Sequence, residues 1–226
     1  MEKSNNIMYV TLLLTIIAGY CDTVTFVAAD AIFSAHVTGN FIVFAYQIIK
    51  GSDLHAWVKL LTFPIFISSV IMGGWIAARS ESKYKVLLWE GIILTITGIG
   101  AYVLGYLGIF TTWPTYLIAM LVVFAMGLQN AFGKIYSKET YGPTTMMTGN
   151  VTQAALDLGN SLKTGFKNLD AVASLKKQFI TIIGFLAGCF LGAVAGKFWG
   201  LGTVLIPGIA LILCYIKNHK ISTLQQ

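Results

Sequence analysis

The sequence predicts an all-α polytopic membrane protein: about six transmembrane helices, arranged as two inverted three-span repeats, each with a re-entrant half-helix. Three observations predict it. The composition is that of a chain dissolved in lipid, the apolar residues fall into long runs, and a Thr-Gly-Asn triplet occurs twice, in "HVTGN" (His36 to Asn40) and "MMTGN" (Met146 to Asn150).

Composition comes first. Of 226 residues, 56% are hydrophobic and 11% charged, and the mean hydropathy is +0.76. A soluble domain carries roughly a quarter charged residues, so the bilayer is the solvent this chain expects. The net charge of +6 lies in short loops and forms no aromatic-flanked patch of the kind that binds nucleic acid. Cys21, Cys189 and Cys214 all fall in apolar segments without CxxC spacing, so they read as small buried apolar residues. The N-terminal apolar run exceeds signal-peptide length and has no A-x-A site; it reads as a retained first span.

Six apolar segments have about the length needed to cross a hydrocarbon core: 7–29, 57–79, 86–108, 114–136, 175–197 and the shorter 201–217. Segments 30–50 and 141–162 hold the triplets, and each has only about a dozen residues after its triplet, too few to span as a helix. Charge decides their path. If both dip in and return to the same side, one side holds Lys3, Arg79, Lys83, Lys85, Lys134, Lys138, Lys163, Lys167, Lys176, Lys177, Lys217 and Lys220. The other side holds Lys50, Lys59 and Lys197, a split of 12 against 3. The positive-inside rule then favours six spans with both termini cytoplasmic.

Three spans per half is an odd number, so the second half (111–226) enters from the side opposite to the first (1–110). Such inverted repeats are a recurring build of transporters, with sites where the halves meet. "AGYCD" (Ala18 to Asp22) aligns with "MGLQN" (Met126 to Asn130), which sets Asp22 against Asn130. The second span of each half carries small residues four apart: Ser69, Gly73 and Ala77 in one, and Gly184, Gly188, Gly192 and Gly196 in the other. That pattern lets helix backbones approach closely. The glycine-rich span 175–197 would serve a homodimer interface as readily as an internal one. Pro64 and Pro207 are candidate kinks in spans two and six, and Trp57, Trp113 and Trp199 are candidate interface anchors.

The triplets Thr38-Gly39-Asn40 and Thr148-Gly149-Asn150 have the chemistry of a helix start inside the membrane. Threonine is a good N-cap, glycine allows close approach, and asparagine offers a donor and an acceptor without charge. Opposed half-helices would bring Asn40 and Asn150 together, with positive dipole ends and free N–H groups facing a shared centre. Asn150, Gln153, Asp157 and Asn160 fall on one helix face.

Among charged candidates, Asp22 lies well inside a span, where a carboxylate is a functional hypothesis by default; it is the proton-coupling candidate, with His36 beside it. An Asp22–His36 pair would also satisfy both without transport. Glu90, close to "KYK", is expected to snorkel to a lysine at the cytoplasmic surface. Asp30 is expected in a hydrated setting at the far end of span one. Thr38, Gly39, Asn40, Gln129, Asn130, Thr148, Gly149, Asn150 and Gln153 are the candidate substrate contacts. His36 with Met146 and Met147 is a weak soft-metal set, so no metal and no cofactor is expected. No GxSxG, HExxH or phosphate-cradling loop occurs, which argues against an enzyme.

With these motifs in view, "AGYCDTVTFVAADAIFSAHVTGN" and "AMGLQNAFGKIYSKETYGPTTMMTGN" resemble the YoaK-like family of small bacterial multi-pass proteins of unknown function, over nearly the whole chain. Val37 departs from the family pattern, where methionine is expected. The resemblance implies a bacterial inner-membrane protein of about six spans and supplies no substrate. The residues leave three functions open: a transporter of a small solute, anionic or proton-coupled; a passive aquaporin-like channel for a small neutral solute; and a non-transporting scaffold or sensor. The asymmetry of Asp22 and Asn130 favours the coupled transporter.

Overall fold

The computed structural model describes residues 2–51 and 55–223. Eight α-helices carry the described residues: α1 (Glu2–Ala28), α2 (Gly39–Lys50), α3 (Val58–Ala78), α4 (Lys85–Tyr106), α5 (Thr112–Ile135), α6 (Met147–Lys163), α7 (Leu169–Trp199) and α8 (Leu205–Thr223), with a 3-10 turn at Gly200–Val204 between the last two. The described residues form no strand. Five helical stretches are long and apolar enough to cross a membrane: Ser4–Ala28, Val58–Ala78, Lys85–Tyr106, Thr112–Ile135 and the 51-residue stretch Leu169–His219, which contains the 3-10 turn.

The apolar runs of the sequence become these helices with ends shifted by a few residues. The largest shifts are at α8, which runs Leu205–Thr223 rather than 201–217, and at α7, which begins at Leu169 rather than near 175. Its polar first turn is capped by Asn168, whose side chain accepts from the Ala171 N–H at 3.1 Å. Pro64 sits inside α3 without breaking it. Pro207 falls in the first turn of α8, where its missing N–H is needed least.

Large apolar side chains such as Ile71, Trp75, Ile96, Phe190 and Phe198 point outwards, while small residues line the contacts between helices. Lipid tails are as apolar as leucine, so close backbone packing holds such helices together. The four glycines of α7 face α1. A Cβ added at Gly184, Gly188, Gly192 or Gly196 would run into Thr15, Ile16, Tyr20 or Val24 in turn. The order is the same along both helices, so α1 and α7 run parallel. The glycine stripe of span 175–197 is therefore used within the chain. Likewise α3 packs parallel to α5: Gly127 abuts Ser69, Gly73 abuts Ala131, and the Ser69 hydroxyl donates to the Phe124 carbonyl. Helix α4 runs antiparallel to α8, with Gly91 against Gly208 and Gly98 against Leu205.

Polar clusters close the two ends. At one end Asp30 accepts from Lys59 and from the Tyr116 hydroxyl, and Trp57 and Trp113 stack at 6.2 Å. At the other, Asn6 donates to Asn218 (2.8 Å) and to the Tyr84 hydroxyl (3.3 Å). Tyr84 in turn donates to Glu139 (3.1 Å), which pairs with Lys83 at 2.5 Å. Burial and the Glu139 carboxylate push the Tyr84 phenol up from its ordinary value.

Candidate functional site

The two triplet segments are built alike. Helix α1 ends at Ala28, and the chain turns through Asp30 and Ala31 with left-handed φ of 52° and 56°. It then folds back along the helix it has just left. The Ala35 and His36 N–H groups donate to Oδ1 of Asp22 at 2.7 and 3.2 Å, and His36 Nδ1 lies 3.9 Å from Oδ2. Asp22 is six residues before the end of α1, so the loop returns about 9 Å into the helix bundle. Helix α2 starts there, at Gly39. Asn40 is fully buried and clamps the loop: Oδ1 accepts from Phe33 N and Nδ2 donates to Phe33 O, both at 2.8 Å, while Nδ2 also donates to Thr62 at 3.1 Å. A side chain on Gly39 would press on the Phe33 ring, which accounts for the glycine.

The second copy follows α5. The chain past Ile135 folds back so that Thr145 donates to Asn130 Oδ1 at 2.7 Å, and Gln129 donates to Thr144 (3.0 Å) and to the Leu14 carbonyl of α1 (2.9 Å). The Tyr141 N–H donates to Thr11 at 3.0 Å. Asn150, also buried, donates to Pro143 O at 2.8 Å. Both asparagines thus hold the residue seven positions earlier. Proline has no N–H, so the second clamp lacks the bond that Phe33 N makes in the first.

Several expectations are corrected by this geometry. Thr38 and Thr148 are exposed and do not cap. Thr38 makes no side-chain cap bond, and the cap position of α6 belongs to Met146. The first amides of α2 are not free: Gly39, Asn40 and Phe41 donate to His36, Val37 and Thr38 carbonyls. The two triplets do not face a shared centre, because α2 packs on α3 and α6 on α7, with no contact between α2 and α6. Each asparagine is used inside its own half. On α6, Gln153 is exposed and donates to Asp157 at 2.9 Å, and Gly149 is exposed as well. The set Asp22, His36 and Asn40 is brought together around one loop. Gln129, Asn130 and Asn150 are brought together around the other.

Glu90 is the largest departure. It does not snorkel. It is fully buried in α4, and neither carboxylate oxygen has a hydrogen-bond partner. The signal was present in the spacing. Leu87, Glu90, Gly91, Leu94 and Gly98 lie on the buried stripe of α4, a stripe readable from the helical period. Thr144 and Thr145, which hold the second loop, carry no comparable signal, because threonine is common in loops.

Comparison with known proteins fits this architecture. Residues 10–216 match the family described as "Protein of unknown function (DUF1275)", and the chain belongs to that family. It is 20% identical over 187 residues to the UPF0700 transmembrane protein YoaK of Bacillus subtilis (strain 168), a match that covers 81% of each chain. No solved structure matches the chain.

Proposed function

We propose that this family member transports a small solute across the bacterial inner membrane, as two inverted repeats of three crossings each with both termini cytoplasmic. The observation that carries the reading is the duplicated loop. In each half the chain folds back after the first helix, is held at matching positions (Asp22 and Asn130), and starts a short helix clamped by an asparagine. The two copies lie at opposite ends of the bundle: Asp30, just past the end of α1, meets Tyr116 near the start of α5. Re-entrant segments in inverted repeats are the usual material of transporter sites, and irregular backbone at membrane depth is found where it is buried in protein or lines a cavity.

Helix pairing supports the same arrangement. The first helix of each half packs parallel to the second helix of the other, α1 with α7 and α5 with α3. The two third helices, α4 and α8, pack on each other. The stretch Leu169–His219 would be about 76 Å long as a straight helix, more than twice a hydrocarbon core of about 30 Å. Two crossings with a reversal at Gly200–Val204 fit that length and the pairing of α8 with α4. The 12-to-3 division of basic residues favours the end bearing Lys83 and Lys217 as cytoplasmic. The separation of α2 from α6 gives no support to an aquaporin-like pore headed by paired asparagines.

The test places single cysteines at Thr38, just before α2, and at Thr148, in the first turn of α6, both exposed and without cap bonds, after Cys21, Cys189 and Cys214 are replaced. A membrane-impermeant thiol reagent is applied to vesicles of each orientation. The expected result is labelling of the two positions from opposite faces, altered by an imposed proton gradient or by solutes screened in pools. Labelling of both from the same face refutes the inverted repeat. Complete protection of both under every condition refutes transport in favour of a packed scaffold.

A further inference from the structure

The duplicated loops leave unused a fully buried carboxyl, Glu90, neither of whose oxygens has a hydrogen-bond partner. Glu90 lies on the face of α4 that meets α8. Its neighbour Gly91 would place a Cβ 2.9 Å from the Gly208 carbonyl and 3.0 Å from Ile212 and Leu211, so the helices touch there backbone to backbone. The side chain is wholly buried and both oxygens are unpartnered. A carboxylate removed from water without a hydrogen bond or counter-charge is far costlier than a neutral carboxyl, and in a membrane such a group marks function by default. A metal cation needs several ligands, and no cluster of three or more His, Cys, Asp or Glu that could hold one occurs among the described residues. A proton needs the carboxylate alone.

Among the described residues, no cation bonds to either carboxylate oxygen. Helix α8 brings Cys214, whose thiol lies within electrostatic reach of Glu90, and farther along Tyr215, Lys217 and His219. Helix α1 brings Cys21, also within reach. Helix α5 carries Tyr116 and Lys134 near its two ends, α3 carries Lys59 near its first turn, and the 3-10 turn carries none. On α4 itself, Lys85 is exposed at the N-terminus and Tyr102 packs on Gly202 towards the other end.

A polar row leads towards Glu90 from one surface. Glu139 accepts from Tyr84, Tyr84 accepts from Asn6, and Asn6 donates to Asn218. Asn218 then reaches the Cys214 sulfur at 3.5 Å. Glu90 itself is five residues into α4, about 8 Å from that surface.

We propose that Glu90 is a proton-binding site, loaded from the end of the molecule that carries Tyr84 and Glu139. The carboxylate takes one proton from water at that surface and returns it, with no other bond changed. Within the transport reading, on which this role rests, Glu90 carries the coupling proton. Asp22, met by two backbone N–H groups and an imidazole, is then a fixed latch for the first loop.

Dicyclohexylcarbodiimide, an apolar reagent that attacks protonated carboxyls, tests the site on the full chain in proteoliposomes. Labelling is followed from pH 5.5 to 9.5 by mass spectrometry of the Glu90 peptide. The expected adduct is on Glu90 and not on Asp22, is absent in Glu90→Gln, and falls about tenfold per pH unit beyond its midpoint. No adduct at any pH overturns the proposal. So does a yield constant across the range, which marks a carboxyl permanently neutral and merely structural. The labelling needs no solute, so it stands or falls separately from the thiol-accessibility experiment. If both succeed, Glu90→Gln abolishes the response of labelling at Thr148→Cys to a proton gradient, whereas Asp22→Asn preserves it. The opposite pattern returns the coupling role to Asp22.

Discussion

Replacing each triplet asparagine by alanine separates the two halves energetically. Asn40→Ala removes three hydrogen bonds: Phe33 N to Oδ1, Nδ2 to Phe33 O and Nδ2 to Thr62. The Thr62 hydroxyl keeps its own bond to the Lys59 carbonyl, so the loss falls on the two backbone groups of Phe33, which sit beneath a fully buried side chain. Each polar group left unsatisfied in a buried place costs about 1–3 kcal/mol, which gives about 2–6 kcal/mol for the variant. Asn150→Ala abandons one backbone group, the Pro143 carbonyl. Pro143 is exposed, so water replaces the lost donor and the cost is about 1 kcal/mol.

Thermal unfolding of the detergent-purified protein reads this difference, using a dye that fluoresces on reaction with thiols. Cys21 and Cys214 are both fully buried, so they become reactive when helices separate. At about 2–4 °C per kcal/mol for a chain of this size, Asn40→Ala should lower the midpoint by about 4–24 °C and Asn150→Ala by about 2–4 °C. Equal losses, or a loss below about 2 °C for Asn40→Ala, would refute the reading of Asn40 as the stronger clamp.

Three further outcomes follow from the same contacts. Gly188→Ala drives a Cβ into the Ile16 carbonyl of α1 and should destabilise by about 1–3 kcal/mol, read by the same thiol assay; Gly133→Ala, with nothing near its Cβ, should be neutral or stabilise by up to about 1 kcal/mol. Tyr84 has a raised phenol pKa, so its contribution is complete below the unfolded value near 10 and is lost as pH climbs above it; midpoints measured from pH 8 to 11 should fall less steeply in Tyr84→Phe than in the wild type. Thr38→Ala and Thr148→Ala should each change stability by less than about 0.5 kcal/mol, because neither hydroxyl caps a helix; a loss above 1 kcal/mol in circular-dichroism melts would reinstate the cap.

The sequence made the long helices legible because lipid imposes a single demand, a continuous apolar run whose backbone bonds close within the segment. Helix contacts were legible in part, since Ser69, Gly73 and the four glycines of α7 name the faces that approach closely, though nothing in their spacing says whether the partner is α1 or a second copy. The triplet announced a special place without disclosing its chemistry. Threonine next to glycine suggests a cap, yet the α2 amides are taken by three preceding carbonyls, and the asparagine reaches seven residues back rather than towards the other half. Proximity in sequence to "KYK" points Glu90 to the surface, but its place on the buried stripe of α4 decides where it lies. Its surroundings come from α1 and α8, about 70 and 120 residues away, and no local pattern announces them.

The likeness of the two halves makes their differences informative. In the first, the loop is held through its backbone: two N–H groups bond to a carboxylate, and both polar groups of Phe33 bond to Asn40. In the second, Asn130 replaces the carboxylate and Pro143 replaces the residue whose N–H completes the clamp. Threonine side chains meet neutral amides there, and one backbone N–H, that of Tyr141, is tied to α1. Local opening follows the weakest set of bonds rather than the average. The second loop is therefore expected to separate from its helix at lower cost than the first. Asp22 and Phe33 hold one end of the bundle firm, while Asn130 and Pro143 leave the end bearing the route to Glu90 easier to open.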